Sequence, residues 1–130
     1  MVCLAALVLV SCARKIHFEG SAIVPGAEGT VKVKKDNNSN YSINIDVVNL
    51  AEAKRLQPPK STYMVWMQNE QSYTRLIGQL NTSSGLFSKT LKASLSTVTP
   101  YKPLRIYVTA EDNPATTYPQ GPTVLTTPEL

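Results

Sequence analysis

Cysteine and histidine are nearly missing from this chain: two Cys, both within the first dozen positions, and a single His, His17. That scarcity excludes most metal centres and nucleophiles built on thiol or imidazole. No apolar run reaches the roughly 20 residues that a membrane-spanning helix needs. No helical periodicity is long enough to cover a parallel sheet. Neither G-x-S-x-G nor S-x-x-K occurs, and there is no Gly-rich phosphate loop, so catalysis is not expected and no cofactor is implied. What is present is 130 residues with nine Pro, six Gly and abundant Thr, Ser, Val and Tyr. That size and composition describe one domain made of strands and turns.

Val2–Val10 is apolar, runs straight into Ser11-Cys12, and meets its first charge at Arg14. An apolar stretch of this length followed by small residues reads as a signal-peptide core. Leu9-Val10-Ser11-Cys12 resembles the lipobox of bacterial lipoproteins. The resemblance implies cleavage before Cys12, a diacylglycerol on its sulfur and an acylated new amino terminus. Cys3 then leaves with the signal, so the mature domain has no thiol free for a disulfide. Ala13 after the lipidated Cys makes the outer membrane the default destination by the same resemblance. All Lys, Arg, Asp and Glu follow Cys12, so the net charge of +4 belongs to the mature chain. Lys32, Lys34 and Lys35 are the one dense basic group. They alternate with Val31 and Val33, as the solvent face of a strand does, with attraction to an anionic lipid surface as a second role. A nucleic-acid partner, which needs a basic patch with stacking aromatics, is not expected.

Residues 1–11 are therefore expected to be signal and 12–29 a lipidated Cys with a flexible tether, extended at most over Ile16–Phe18 and broken by Gly20, Pro25, Gly26 and Gly29. From Thr30 the pattern has period two. Val31/Val33 and Ile43/Ile45/Val47 mark two strands around the turn cluster Asp36–Asn40. Leu50–Leu56 reads as one helical turn or a crossing between sheets, closed by Pro58-Pro59. Ser61–Gln68 is apolar on both faces, with Tyr63, Val65 and Met67 on one and Met64 and Trp66 on the other, as in a central strand. Tyr73–Leu80 returns beside it, Asn81–Gly85 turns, and Leu86–Leu95, Leu104–Val108 and Thr123–Leu125 complete the set. About seven strands at this spacing predict an all-β, antiparallel, immunoglobulin-like sandwich over 30–127, without the inter-sheet disulfide and with Trp66 as its central core residue. A small closed barrel is the alternative.

Five segments go further: Pro58-Pro59, Tyr63-Met64-Val65-Trp66, Ile77-Gly78-Gln79-Leu80, Val108-Thr109-Ala110-Glu111 and Pro119-Gln120-Gly121-Pro122-Thr123-Val124-Leu125. Together they resemble the extracytoplasmic C-terminal domain of anti-sigma-K-type regulators and its stand-alone relatives. That family implies a sandwich with an aromatic central strand and a sensing or interaction role outside the cytoplasm. Its anti-sigma activity belongs to a helical cytoplasmic domain with no counterpart in this sequence.

Three candidate sites remain. Glu111-Asp112-Asn113 supplies too few oxygen ligands for Ca²⁺ and reads as a solvated turn. His17 stands in the expected tether, without the orienting partner that acid–base chemistry needs. Tyr101 and Tyr118, on loops, are the candidate recognition surface, because tyrosine buries much area at little entropic cost. The expected function is non-catalytic binding or structural interaction in the bacterial cell envelope, with the membrane as anchor and a protein or glycan as partner. The alternatives are an accessory sensor of an envelope anti-sigma system and, less favoured, a small hydrolase.

Overall fold

The computed structural model describes residues 13–84 and 90–130. The expected signal, Cys12, and the Leu86–Lys89 start of one expected strand lie outside the described residues. Among the described residues nine strands run in chain order: β1 (Arg14–His17), β2 (Glu28–Lys35), β3 (Tyr41–Leu50), β4 (Thr62–Asn69), β5 (Thr74–Gln79), β6 (Asn81–Ser84), β7 (Leu91–Thr99), β8 (Pro103–Glu111) and β9 (Thr123–Thr126). One antiparallel sheet has the order β1-β2-β3-β7-β6 and the other β5-β4-β8-β9. In immunoglobulin lettering β2, β3, β7 and β6 take the places of A, B, E and D, and β5, β4, β8 and β9 those of C′, C, F and G. The protein is an all-β antiparallel sandwich.

The hydrophobic alternation decides which face turns inward. Val31, Ile43, Ile45 and Val47 from the first sheet meet Tyr63, Val65, Met67, Ile106 and Val108 from the second, all buried in one cluster. Polar neighbours such as Lys32 and Asn44 point outward, as period two requires. Side chains close the turns after β2 and β4. Asp36 Oδ1 accepts the amides of Asn38 and Asn40 (2.8 and 2.9 Å), and Asn69 Oδ1 accepts those of Gln71 and Tyr73, both at 3.0 Å. The Leu50–Leu56 segment makes the crossing between sheets through a 3-10 turn at Ala53–Arg55. It is fastened by the Tyr63 hydroxyl, which donates to the Ala51 carbonyl at 2.6 Å. The Gln57–Pro58 peptide bond that follows is cis.

Three expectations are corrected. The segment expected to be a tether is part of the sandwich: Ile16 pairs with Val31, the Glu19 amide donates to the Thr126 carbonyl, and Val24 and Ala27 lie in the core. The sandwich thus begins at Arg14 in place of Thr30. Its first segment holds too few apolar residues between breakers for a period to show. Second, Asn81–Ser84, expected as turn, is an edge strand on β7. The chain leaves β5 at Gln79 and changes sheets within Leu80, whose amide still donates to the Tyr63 carbonyl. These two strands raise the expected seven to nine.

The third correction concerns Trp66. It is fully buried, as is Met64 nearly so, but neither belongs to the inter-sheet cluster. Alternation along β4 sends Tyr63, Val65 and Met67 inward and Met64 and Trp66 to the opposite face. Thr109 and Glu111 share that face, and Glu111 accepts the Gln120 and Gly121 amides, so the segment between β8 and β9 packs back on the sheet it has just left.

Candidate functional site

The cover over Trp66 is held by a chain of polar contacts. Trp66 Nε1 donates to Thr109 Oγ1 at 2.8 Å, and Thr109 Oγ1 donates to Glu111 Oε2 at 2.5 Å. The Glu111 carboxylate then accepts the backbone amides of Gln120 (3.2 Å to Oε2) and Gly121 (3.1 Å to each oxygen). Glu111 is only 2% exposed, so the reading of Glu111-Asp112 as a solvated turn fails for its first member. A buried carboxylate requires such donors, because an unpaired one costs several kcal/mol, of the order ~3–5. Asp112 does face solvent, with Lys60 Nζ at 3.4 Å. Gly121 has a second reason to be there: a Cβ at this position would lie 1.7 Å from the Ala110 carbonyl oxygen. The cluster is a structural clamp, and what it presents is the loop from Asp112 to Pro122, with Tyr118 at 62% exposure.

Beside that loop lies an open groove of about 420 Å³, walled by Thr74, Arg75 and Leu76 of β5, Thr97–Thr99 of β7, Tyr101 and Thr117. Its position follows from the pairing of β7. The short β6 covers only Leu91–Ser94, so among the described residues no strand pairs with the outer edge of β7 beyond Ser94. The edge of β5 faces the same gap. Near the crossover the gap is narrow: Gly78 sits at a bulge opposite Val65, where a Cβ would meet Leu95 at 2.9 Å. Toward Thr74 and Thr99 it widens. The Arg75 guanidinium lies 3.9 Å from the centre of the Tyr101 ring, a cation–π contact that fixes both side chains. Val98, at 61% exposure, and Leu76 are apolar groups left open to water on the same walls.

Of the two tyrosines singled out from the sequence, Tyr101 lines this groove and Tyr118 follows Thr117, which lines it as well. Arg75, Leu76 and Val98 were missed. Val98 carries a readable signal: it shares the face of Ser94 and Ser96, whose outward positions are otherwise polar. Arg75 carries none, since its contact with Tyr101 depends on β5 and the β7–β8 turn meeting in space. His17 is exposed on β1, paired with Thr30, and so belongs to the sheet and not to a tether. Among the described residues no three His, Cys, Asp or Glu converge on a possible metal position, and no helix is long and apolar enough to cross a membrane. Compared with family models, curated proteins and solved structures, the chain matches none.

Proposed function

We propose that this protein is a lipid-anchored, non-catalytic interaction module of the bacterial cell envelope. The observation that carries the reading is an order along the chain: apolar run, Ser11, Cys12, then a folded strand from Arg14. An acyl chain on Cys12 holds the sandwich directly at a bilayer, and several acyl chains anchor far more firmly than one. The outer membrane is the destination. The partner is a protein or glycan of the envelope, and the groove between β5 and β7 is where it is met. Two strand edges that no strand pairs with among the described residues, exposed Val98 and Leu76, and the Arg75–Tyr101 pair suit an extended protein segment better than a sugar. A sugar ring stacks on a free aromatic face, whereas Arg75 occupies one face of Tyr101.

Intact mass and membrane fractionation of the full-length protein against Cys12→Ser, in a bacterium that processes lipoproteins, test the anchor. The wild type is expected to gain the mass of the acyl groups and to sediment with membranes, and Cys12→Ser to be released. A soluble, unprocessed wild type rejects the reading.

A second reading, an accessory partner of an envelope anti-sigma system, has its own support. Four of the five segments that resemble the anti-sigma-K-type domain fall on or beside the β5-β4-β8-β9 sheet and its clamp, and the fifth, Pro58-Pro59, leads into it. A neighbouring gene for a sigma factor or its membrane regulator, with copurification of that regulator, favours this reading over the first.

A further inference from the structure

We infer that the end of the sandwich where β1 begins is a docking face for an anionic lipid surface. The inference rests on the lipid-anchor reading for where the membrane lies, and on the structure for which end meets it. β1 starts at Arg14 and runs antiparallel to β2, placing Arg14 opposite Val33. This end of the sandwich therefore gathers the start of β1, the end of β2, the start of β3 and the β7–β8 turn. Only Ala13 separates Cys12 from Arg14, and the two Cα–Cα steps reach at most about 7 Å. A domain anchored at Cys12 has no slack to stand off the bilayer, so this end lies against the headgroups.

The chemistry of that end suits them. A cavity of about 320 Å³ opens there, with Arg14, Lys35 and Lys102 on its wall and Ile16, Val33, Tyr41 and Pro103 among the residues between them. Leu130 completes the wall, and among the described residues no Asp or Glu side chain lines it. Of the acidic groups at the same end, Asp36 is turned to the Asn38 and Asn40 amides and Glu129 to Arg105 at 3.9 Å. Glu70 lies on the far sheet, in the turn after β4. Arg14, Lys35 and Lys102 form no ion pair among the described residues. The opposite end differs: there Lys54 and Arg55 share Glu52, and Lys60 has Asp112. Cations ringed around apolar and aromatic groups match the boundary between phosphate headgroups and acyl chains.

The test is the vesicle partition coefficient of full-length Cys12→Ser, which carries no acyl chain, titrated with phosphatidylglycerol and with phosphatidylcholine vesicles at low salt. Each basic residue at an anionic surface is worth about 1 kcal/mol, or roughly fivefold. Arg14→Ala, Lys35→Ala and Lys102→Ala together are expected to lower the coefficient on phosphatidylglycerol by about 100-fold and to leave that on phosphatidylcholine unchanged. Lys54→Ala, Arg55→Ala and Lys92→Ala, the same charge removed from the other end, are expected to retain most of the binding. Equal coefficients on the two lipids, or equal loss from the two triple variants, overturn the docking face. Failure of the anchor is seen separately, as a wild type without acyl mass.

Discussion

Trp66 and Thr109 are joined across the β4–β8 ladder on the face of the sheet turned away from the inter-sheet core, indole N–H to hydroxyl at 2.8 Å. The same hydroxyl reaches Glu111, so one small side chain serves both the largest buried ring and the carboxylate that holds the β8–β9 loop. Removing the ring tests the packing. Trp66→Ala is expected to lower stability by about 3–5 kcal/mol, read from urea unfolding. A loss under about 1 kcal/mol would place the ring in solvent and remove the loop from above it.

Thr109→Val keeps the shape but deletes the shared hydroxyl. The indole N–H then loses its partner in a buried site, at a cost of about 1–3 kcal/mol, while Glu111 Oε2 loses one of its donors and keeps the Gln120 and Gly121 amides. Faster hydrogen exchange should appear at the Gln120 and Gly121 amides, which donate to Glu111, while the β3–β7 ladder keeps its protection. Unchanged exchange in the loop would show that the clamp does not depend on the hydroxyl.

Gly121→Ala is a sharper perturbation of the same loop. The new Cβ would overlap the Ala110 carbonyl oxygen, and backbone can yield only by moving the loop, so a loss of about 2 kcal/mol or more is expected. Gly20→Ala and Gly26→Ala, where nothing lies within 4 Å of the added carbon, serve as controls and should stay within about 0.5 kcal/mol of wild type. Equal behaviour of the three variants would contradict the packing of Gly121 on Ala110.

The sandwich was legible because its information is local. Ile43, Ile45 and Val47 alternate with polar residues, and Asp36 and Asn69 close turns through their own side chains. β4 was legible as a two-faced strand, but which face meets the other sheet was not, since Tyr63-Met64-Val65-Trp66 is apolar on both. The sequence makes Trp66 the central core residue, whereas it is buried outside the inter-sheet cluster. Glu111 reads as a surface residue until the loop returns over it, and that return depends on Gly121 fitting beneath a carbonyl contributed by Ala110. β1 and β6 are each four residues long, too short to display a period. Of the groove, Tyr101 was found from composition and Arg75 was not, because their contact is made only by folding.

Arg75 and Tyr101 can be tested as a pair without knowing the partner. A double-mutant cycle with Arg75→Ala and Tyr101→Ala should return a coupling of about 0.5–1 kcal/mol, the size of a cation–π contact that remains accessible to water. Independence of the two substitutions would mean that the guanidinium does not hold the ring, and the case for an extended segment over a sugar would lose its main support.

Tyr63 gives the fold a pH dependence at the alkaline end. Burial raises its pKa from 10.0 to about 12, so the folded chain keeps a proton that the unfolded chain releases. Stability therefore falls with pH between about 10 and 12, and the contribution of the neutral phenol is fully present only below that range. Tyr63→Phe removes the titration together with the hydrogen bond to Ala51. At pH 8 the wild type should be the more stable by about 1 kcal/mol, the net worth of one such bond. At pH 11 that advantage should shrink by about 1.4 kcal/mol, one pH unit beyond the unfolded value, which abolishes or slightly reverses it. Comparing the two proteins cancels the lysines and other groups that titrate in the same range. A gap that stays constant from pH 8 to pH 11 would show that the phenol reaches solvent, and that Tyr63 does not fasten the crossing between the sheets.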